Sequence, residues 1–414
     1  MGDVYKKSAP RKNKLKVLWL CYFSNKEVQD QLKPWKRTGE FAPWISSMIT
    51  LFENDQDIEL HVVSQHEWIA GYKHFVKNGV NYYFINKGMP LIGRHWPGFF
   101  RFDVWSDLFF TKKIIAGIVR KVSPDIIHMQ GAENLFCTSV TQFHKKYPVF
   151  ITVQGLINNS LKSNKVEIVR AKKELEILKM FRHYGYRTES MGKEIISLNP
   201  DAVLHWHNYP MKPIIPVNTG KRFDLVFFAR VCKEKGIEDL LYAVSIIKKQ
   251  KPDISLCVIG EGKLEAFKKL ALYLEIVENV TWAGFLPSQT DVHKLASGAR
   301  ISVLPTYHDI ISGTILESMF LKIPVVAYNV GSIHEVNSKD EIIALVEKRN
   351  IEKLAETILY LLNDPEICKQ RAEKGYIRAV EMFVHDDEEI RHSLLKAYNK
   401  VISDFKDENV SDVG

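Results

Sequence analysis

Two clusters of residues in the second half of the sequence have the types and spacing needed to bind a phosphorylated ligand. In the first, Arg230 and Lys235 follow an apolar run of strand length at 224–228 and directly precede a helical pattern. A guanidinium presents a planar fork to phosphate oxygens and an ammonium presents a compact charge, so the two together can neutralise a diphosphate. Taken alone, the same residues also fit an ordinary solvated basic turn.

The second cluster occupies residues 307–317, directly after another apolar run. Ser312, Gly313 and Thr314 have the composition of a loop that opens a helix, whose unpaired N–H groups and positive dipole end favour a phosphate. Asp309 precedes that turn and Glu317 lies one turn inside the helix, so their carboxylates could hydrogen-bond the hydroxyl groups of a polyol from opposite ends. A simple role for Asp309 at the helix start is the alternative.

The elements that must position these residues follow from the apolar pattern. Apolar runs of strand length alternate with helical patterns along the sequence, which predicts an α/β protein with two Rossmann-like domains in tandem. An open parallel sheet binds its ligand outside the carboxyl ends of its strands. Two such sheets that face each other would form one interdomain cleft, and we expect both clusters to lie in it.

The domain boundaries are predicted from the prolines. Pro210, Pro213 and Pro216 fall within a short stretch and predict a linker at 208–218, since proline fits neither a helix interior nor a central strand. We expect a first domain at 1–207, which begins with a basic tail at 1–14, and a second domain at 219–385. A last helix at 386–414 is expected to pack back on the first domain.

The composition excludes several classes of protein. Hydrophobic residues make up 46% and charged residues 26% of the 414 residues, which excludes a disordered or fibrous chain. The five cysteines form no CxxC pair, which disfavours a disulfide framework and a zinc site. The string Asp55-Gln56-Asp57 resembles a metal-binding DxD motif, but it precedes a predicted strand and so lies at the wrong end of the sheet. We expect no metal and a cytoplasmic protein.

The formal net charge is +8, and the excess lies in the first half, where residues 1–205 carry +11. A basic surface can attract a phosphate-bearing substrate, an anionic membrane leaflet or nucleic acid. No nucleic-acid-binding motif occurs, so we do not expect nucleic acid as a partner. An aromatic stretch at 96–110 fits core packing, and it also fits peripheral docking of this basic domain at the inner membrane surface.

The order of these features resembles the C-terminal domain of retaining glycosyltransferases with the GT-B fold, the large family that contains sucrose synthases and bacterial phosphatidylinositol mannosyltransferases. The resemblance covers about residues 222–362. It implies that Arg230 and Lys235 bind the diphosphate of a nucleotide sugar. The family's two-glutamate motif falls on Asp309 and Glu317, which implies that Asp309 contacts the donor sugar and Glu317 the ribose.

The resemblance implies further donor contacts. Phe285 falls where the family's chain passes the nucleotide base. The backbone amides that would receive phosphate and sugar oxygens lie at Ser312, Gly313, Thr314 and Ile315. The sequence departs from the family at Asp309, which is one methylene shorter than the usual glutamate.

The first half resembles the same family more loosely, at the strand ends 124–131 and 150–155. The family's acceptor-side histidine is Gln154 here, and its amide can position a hydroxyl group but cannot take its proton. The candidate residues on the acceptor side are Gln154, Gly155, His128, Arg187 and Glu189. A packed strand-end histidine is the alternative for His128, and a surface ion pair is the alternative for the last two residues.

The reaction implied is hexosyl transfer from a nucleotide-diphosphate sugar to a hydroxyl group of a saccharide or lipid-linked acceptor, with retention at the anomeric carbon. We expect no cofactor and no metal, and a role in cell-surface polysaccharide synthesis. Two alternatives stay open: a non-catalytic nucleotide-sugar-binding protein, and a GT-B epimerase or phosphorylase.

Overall fold

A computed structural model of the chain describes residues 14–21, 30–31, 43–66, 69, 71–89, 96, 100–156, 165–216 and 220–411. The predicted basic tail, apart from Lys14, and part of the predicted linker lie outside these ranges. The chain forms two compact units. The first comprises Met1–Arg187, Gly192–Pro210 and His385–Gly414, and the second comprises Thr188–Met191 and Met211–Val384.

The first unit is built on an eight-stranded sheet in the order β3-β4-β2-β1-β5-β6-β7-β8. Its strands are β1 (Leu15–Cys21), β2 (Ile58–His66), β3 (Tyr72–Lys77), β4 (Val80–Asn86), β5 (Ile126–Gln130), β6 (Val149–Thr152), β7 (His183–Tyr186) and β8 (Val203–Trp206). Every neighbouring pair is parallel except β3 and β4, which form an antiparallel hairpin at the edge. The described residues of this part of the chain form the helices α1 (Pro43–Thr50), α2 (Phe102–Trp105), α3 (Phe109–Val122), α4 (Lys165–Met180) and α5 (Glu189–Leu198).

The second unit has a six-stranded parallel sheet in the order β11-β10-β9-β12-β13-β14. Its strands are β9 (Phe223–Phe228), β10 (Leu256–Ile259), β11 (Val280–Gly284), β12 (Ala299–Leu304), β13 (Val325–Tyr328) and β14 (Ala344–Val346). Its helices are α6 (Ile237–Lys248), α7 (Leu264–Tyr273), α8 (Gln289–Ala296), α9 (Gly313–Phe320), α10 (Ile351–Asn363) and α11 (Pro365–Phe383).

The central strand β9 shows why this sheet carries helices on both faces. Successive side chains of a strand point to opposite faces. Leu225 and Phe227 pack into one hydrophobic core, whereas Val226 and Phe228 pack into a second core on the other face. A strand buried on both faces reads as a continuous apolar run, as this one does. The predicted α/β fold class with two parallel sheets is confirmed.

The last helix, α12 (Asp387–Ser411), belongs to the first unit. Leu394, Tyr398 and Val401 are buried in the core of that unit. Arg391 on the same helix donates through Nε to the Asp55 carboxylate at 2.8 Å and through Nη2 to Asp57 at 3.1 Å. The DxD string therefore serves to anchor this helix.

The described ranges contain no candidate for a membrane-spanning helix or for a metal-binding cluster. None of the helices there is long and apolar enough to cross a membrane. Within the same ranges, no three acidic, histidine or cysteine side chains lie together in a way that could hold a metal ion.

Candidate functional site

The loop after β9 is fixed by contacts of its backbone with the end of β10. The N–H group of Ala229 donates to the Ile259 carbonyl at 3.1 Å, and that of Val231 donates to the Glu261 carbonyl at 2.8 Å. Gly260 has φ of +145°, and a Cβ there would lie 1.9 Å from the Ala229 carbonyl oxygen. Only glycine permits this approach, which sets the position of the loop that carries Arg230.

The two predicted cations differ in their surroundings. Arg230 is exposed, and its side chain forms no ion pair with any residue in the described part of the chain. Lys235 is only 15% exposed, and its Nζ lies 2.9 and 2.7 Å from the two carboxylate oxygens of Asp309. Thr306 donates through Oγ1 to the same carboxylate at 2.7 Å. The structure therefore joins the predicted diphosphate cation and the predicted sugar-binding carboxylate in one ion pair.

The Asp309 loop depends on a second close backbone approach. Gly331 has φ of +54°, and a Cβ there would lie 1.8 Å from the carbonyl oxygen of Asp309. The N–H group of Ser332 donates to the Ile310 carbonyl at 2.9 Å. The segment 331–332 thus closes over the loop and holds the backbone of Asp309 in place.

Helix α9 begins close to this ion pair, at the carboxyl edge of the sheet. Thr314 donates through Oγ1 to the Phe228 carbonyl at 2.8 Å, which ties the helix start to the end of β9. The Ser312 carbonyl accepts from the N–H groups of Ile315 and Leu316. Ser312 and Ile315 are buried, so neither side chain can contribute to a ligand site, and the N–H group of Ile315 is already used within the turn. The exposed Gly313 leaves the first turn open to an anion.

Glu317 is oriented by two residues of α8 that the sequence analysis did not single out. Its Oε2 accepts from Gln289 Nε2 at 2.8 Å and lies 3.1 Å from His293 Nε2. Gln289 and His293 are four residues apart and therefore lie on one face of the helix. Their spacing, directly after the Phe285 loop, is the feature of the sequence that could have indicated these two residues as part of the site. The two contacts hold the Glu317 carboxylate in one orientation beside the first turn of α9.

The remaining donor-side prediction, Phe285, follows the last residue of β11. The preceding Gly284 has φ of +69°, which turns the chain there. The Phe285 ring is 64% exposed. Like the loops after β9 and β12, it lies at the carboxyl edge of the second sheet, where a parallel sheet of this type binds its ligands.

A second group of polar residues lies at the carboxyl ends of β5 to β8 in the first unit. The guanidinium of Arg187 lies 5.0 Å from the ring centroid of Tyr209, and the His207 ring lies 4.9 Å from the same centroid. Burial lowers the pKa of His207 to about 3 and raises that of Tyr209 to about 12. Both groups are therefore neutral at physiological pH.

Several polar atoms of this second group are buried without a hydrogen-bond partner among the described residues. They include both amide atoms of Gln130, Nε2 of Gln154 and Nε of Arg187. Buried polar atoms are nearly always paired, so such a concentration calls for an explanation. A ligand with several hydroxyl groups would supply the missing partners. The sequence analysis named Gln154 and Arg187 but missed Gln130 as a site residue.

Two other acceptor-side predictions lie elsewhere. His128 is fully buried inside β5, with Nδ1 at 2.7 Å from the Tyr398 hydroxyl and Nε2 at 2.5 Å from Thr152 Oγ1. Burial lowers its pKa well below the usual range. Because both ring nitrogens are used in the core, the structure favours the packed strand-end alternative for His128. Glu189 is exposed and clusters with the second unit, whereas Gly155 has open space on its Cβ side.

Comparison with known proteins gives a family match within the second unit. Residues 213–378 match the family described as Glycosyl transferases group 1. An uncharacterized glycosyltransferase of Haemophilus influenzae is 30% identical over 143 residues, covering 34% of this chain and 40% of that protein. The capsular polysaccharide biosynthesis glycosyltransferase CapM of Staphylococcus aureus is 25% identical over 161 residues, covering 39% and 42%. The chain thus spans about half, or less, of the length of the curated relatives it matches.

The likeness to solved structures extends over most of the chain. The structure of HepE from Anabaena in complex with UDP and glucose has a TM-score of 0.66 and 13% identity, and the match covers 93% of this chain and 99% of HepE. At this identity the likeness shows the fold alone. That fold is the pair of Rossmann-like domains known as GT-B.

Proposed function

We propose that this chain, whose residues 213–378 are a glycosyltransferase group 1 domain, transfers a hexosyl group from a nucleotide-diphosphate sugar to a hydroxyl group of a saccharide or lipid-linked acceptor. The observation that carries the proposal is the meeting of three groups at one sheet edge. These are the unpaired guanidinium of Arg230, the Lys235–Asp309 ion pair and the open first turn of α9. Each would contact a different part of the donor.

The chemistry would rest on stabilising the departing diphosphate. As the bond between the anomeric carbon and the diphosphate oxygen breaks, negative charge builds on that oxygen. Arg230, Lys235 and the N–H groups at the start of α9 would stabilise this charge. Electrostatic stabilisation by preorganised groups is usually the largest single contribution to catalysis. The acceptor oxygen forms the new bond from the same face, so the configuration is retained, and its proton passes to the leaving diphosphate. No metal is needed in this scheme.

The ion pair gives Asp309 a specific role in this proposal. Lys235 and Thr306 hold its carboxylate in one orientation, so it can accept hydrogen bonds from sugar hydroxyl groups without a cost for ordering. Glu317, oriented by Gln289 and His293, would accept from the ribose hydroxyl groups.

The acceptor side rests on the unpartnered polar atoms at the carboxyl ends of β5 to β8. Gln154 and Arg187, with the open space beside Gly155, would position the acceptor hydroxyl group. CapM acts in capsular polysaccharide biosynthesis by its name, which supports a role of this chain in polysaccharide synthesis. For a lipid-linked acceptor, the exposed rings of Phe100 and Trp105 would favour peripheral contact with the cytoplasmic membrane leaflet.

One observation favours a second candidate, a protein that binds a nucleotide sugar without turnover. Because Asp309 neutralises Lys235, the site carries less positive charge than two free cations would give it. In addition, the amide of Gln154 cannot act as a base. An epimerase or phosphorylase has less support, because His128 is sequestered in the core.

Release of UDP from UDP-glucose separates the two candidates, and the complex of HepE with UDP and glucose motivates this donor. A transferase releases UDP slowly with water and faster with an acceptor, whereas a binding protein shows thermal stabilisation by UDP-glucose without release. Arg230→Ala should abolish most of the release. Lys233→Ala is the matched control, since Lys233 lies in the same loop but is exposed and pairs with Glu238. Addition of a chelator should leave the rate unchanged.

A further inference from the structure

A cavity of about 350 Å³ lies in the first unit. Its wall includes Gln65 at the end of β2, Lys87 after β4 and Asn134 after β5. It therefore opens at the carboxyl edge of the first sheet, the edge at which this type of sheet binds ligands. The volume lies at the lower end of the range for small-molecule sites, roughly 300–1,000 Å³. One glycosyl residue with a small substituent fits this space.

The charged side chains of the cavity wall are mostly cationic. Among the described residues that line it are Lys87, Arg101 and Arg170, against the single carboxylate of Asp103. The charge of Arg101 is neutralised by Asp103, to which Arg101 donates two hydrogen bonds of 2.9 and 2.6 Å. Arg170 is anchored by donation from Nε to the Glu133 carbonyl at 3.0 Å. The net charge on the wall is therefore positive, which favours an anion.

The uncharged part of the wall suits a sugar ring. Amides and hydroxyl groups, as on Gln65, Ser106 and Asn134, can exchange hydrogen bonds with sugar hydroxyl groups. Phe109 and Phe110 also line the cavity, and both rings are more than 40% exposed. Flat aromatic rings offer an apolar surface to the C–H face of a pyranose. Cations, amides and aromatic rings together fit a saccharide that carries a negative charge.

A buried carboxylate beside the cavity does not cancel this positive charge. Glu133 lies between the wall residues Asn134 and Arg170, and its Oε1 accepts from Asn134 Nδ2 at 3.2 Å. Its other carboxylate oxygen is buried and has no partner in the described ranges. Burial raises the pKa of Glu133 to about 7, so its repulsion of an anion is weakened.

We propose that the acceptor is an anionic saccharide, whose carboxylate or phosphate group binds Lys87 and Arg170 in this cavity while its ring packs on Phe109 and Phe110. This inference rests on the proposed transferase function and specifies its acceptor. The two anionic groups share the same chemistry of recognition, so the test contains one probe for each. The cavity would thereby select among acceptors by charge as well as by shape.

The test measures equilibrium binding of three probes to the full chain in the presence of saturating UDP, which occupies the proposed donor site. The probes are methyl glucuronide, glucose 6-phosphate and the neutral methyl glucoside. At least one anionic probe should bind about tenfold more tightly than the neutral one, and added salt should reduce this preference. Arg170→Gln and Lys87→Gln should each remove most of it. Arg120→Gln, an exposed charge on α3, is the matched control and should retain it.

The outcomes separate this inference from the proposed function. Equal binding of the three probes, retention of the preference in both cavity variants, or no binding at millimolar concentration would overturn the anionic acceptor. Failure of UDP to bind would count against the transferase function instead, and the probes are then compared without it. Preference for glucose 6-phosphate over methyl glucuronide would identify phosphate as the recognised group, and the reverse would identify a uronate. An unchanged urea-unfolding midpoint of the Arg170 variant excludes a loss of folding of the first unit, to which Arg170 belongs.

Discussion

Replacing each of the two donor-site cations by alanine should have different effects on stability, although both should impair transfer. Arg230 is exposed and unpaired within the described chain, so Arg230→Ala should change the free energy of unfolding by no more than about 0.5 kcal/mol. Lys235 pairs with Asp309, and the two side chains are 15% and 20% exposed. Truncating Lys235 leaves the carboxylate with Thr306 as its remaining side-chain donor.

The loss of free energy of unfolding in Lys235→Ala should lie between two known limits. Exposed ion pairs contribute at most about 1 kcal/mol, whereas removing one partner of a fully buried pair costs about 3–5 kcal/mol. For a pair this far from solvent we expect a loss of about 2 kcal/mol. In transfer, loss of one group that stabilises developing charge costs about 3 kcal/mol, or on the order of a hundredfold in rate. Both variants should show that loss.

The assay combines urea unfolding with the rate of UDP release from UDP-glucose. The expected pattern is a normal unfolding midpoint for the Arg230 variant, a lower midpoint for the Lys235 variant and a large loss of rate in both. Equal stabilities would refute the reasoning about the ion pair. A near-normal rate in the Arg230 variant would refute the assignment of the diphosphate site, whatever its stability.

Three further outcomes are expected. Glu317→Gln should weaken UDP affinity by about tenfold, because an amide presents one acceptor oxygen where the carboxylate presents two; an unchanged Kd measured by calorimetry would remove its ribose role. Tyr398→Phe should lower the free energy of unfolding by about 3 kcal/mol in urea titrations, since it leaves Trp19 Nε1 and His128 Nδ1 buried without partners; a loss below 1 kcal/mol would contradict the buried network. Acid should destabilise the chain, because unfolded His207 takes up a proton near pH 6.5 whereas the folded residue does so only near pH 3. Stability should therefore fall as the pH drops below about 6.5, by about 1.4 kcal/mol per pH unit for each such histidine, and a flat unfolding midpoint between pH 6.5 and 4.5 would contradict the buried neutral state.

The fold class could be predicted because burial on both faces of a parallel strand leaves a simple apolar pattern. The misses occur where that pattern fails. Strand β7 shows no such pattern, because its four residues, His183–Tyr186, include a glycine and a histidine. Gly185 is needed there because a Cβ would lie 3.0 Å from the Phe150 ring. The hairpin strand β3 was overlooked because its half-exposed residues form no apolar run.

The candidate site was predictable only in its local motifs. Arg230 and the start of α9 are recognisable as candidates because each follows an apolar run, and their proposed roles come from the family resemblance. The pairing of Lys235 with Asp309 spans 74 residues and depends on the order β9-β12 in the sheet, which no local pattern contains. His128 was a candidate for the acceptor side, with a packed strand-end residue as the alternative. Its position near a strand end does not reveal that its ring contacts the hydroxyl group of Tyr398, 270 residues away.

The membership of α12 in the first unit has a consequence for biosynthesis. Leu394, Tyr398 and Val401 fill a core whose other walls are made near the start of translation. Chains generally fold domain by domain as they emerge from the ribosome. Here one apolar face of the first sheet stays uncovered until the whole second unit has been synthesised. Chaperone dependence and sensitivity to premature termination near residue 385 should therefore be greater for the amino-terminal half than for the half that follows it.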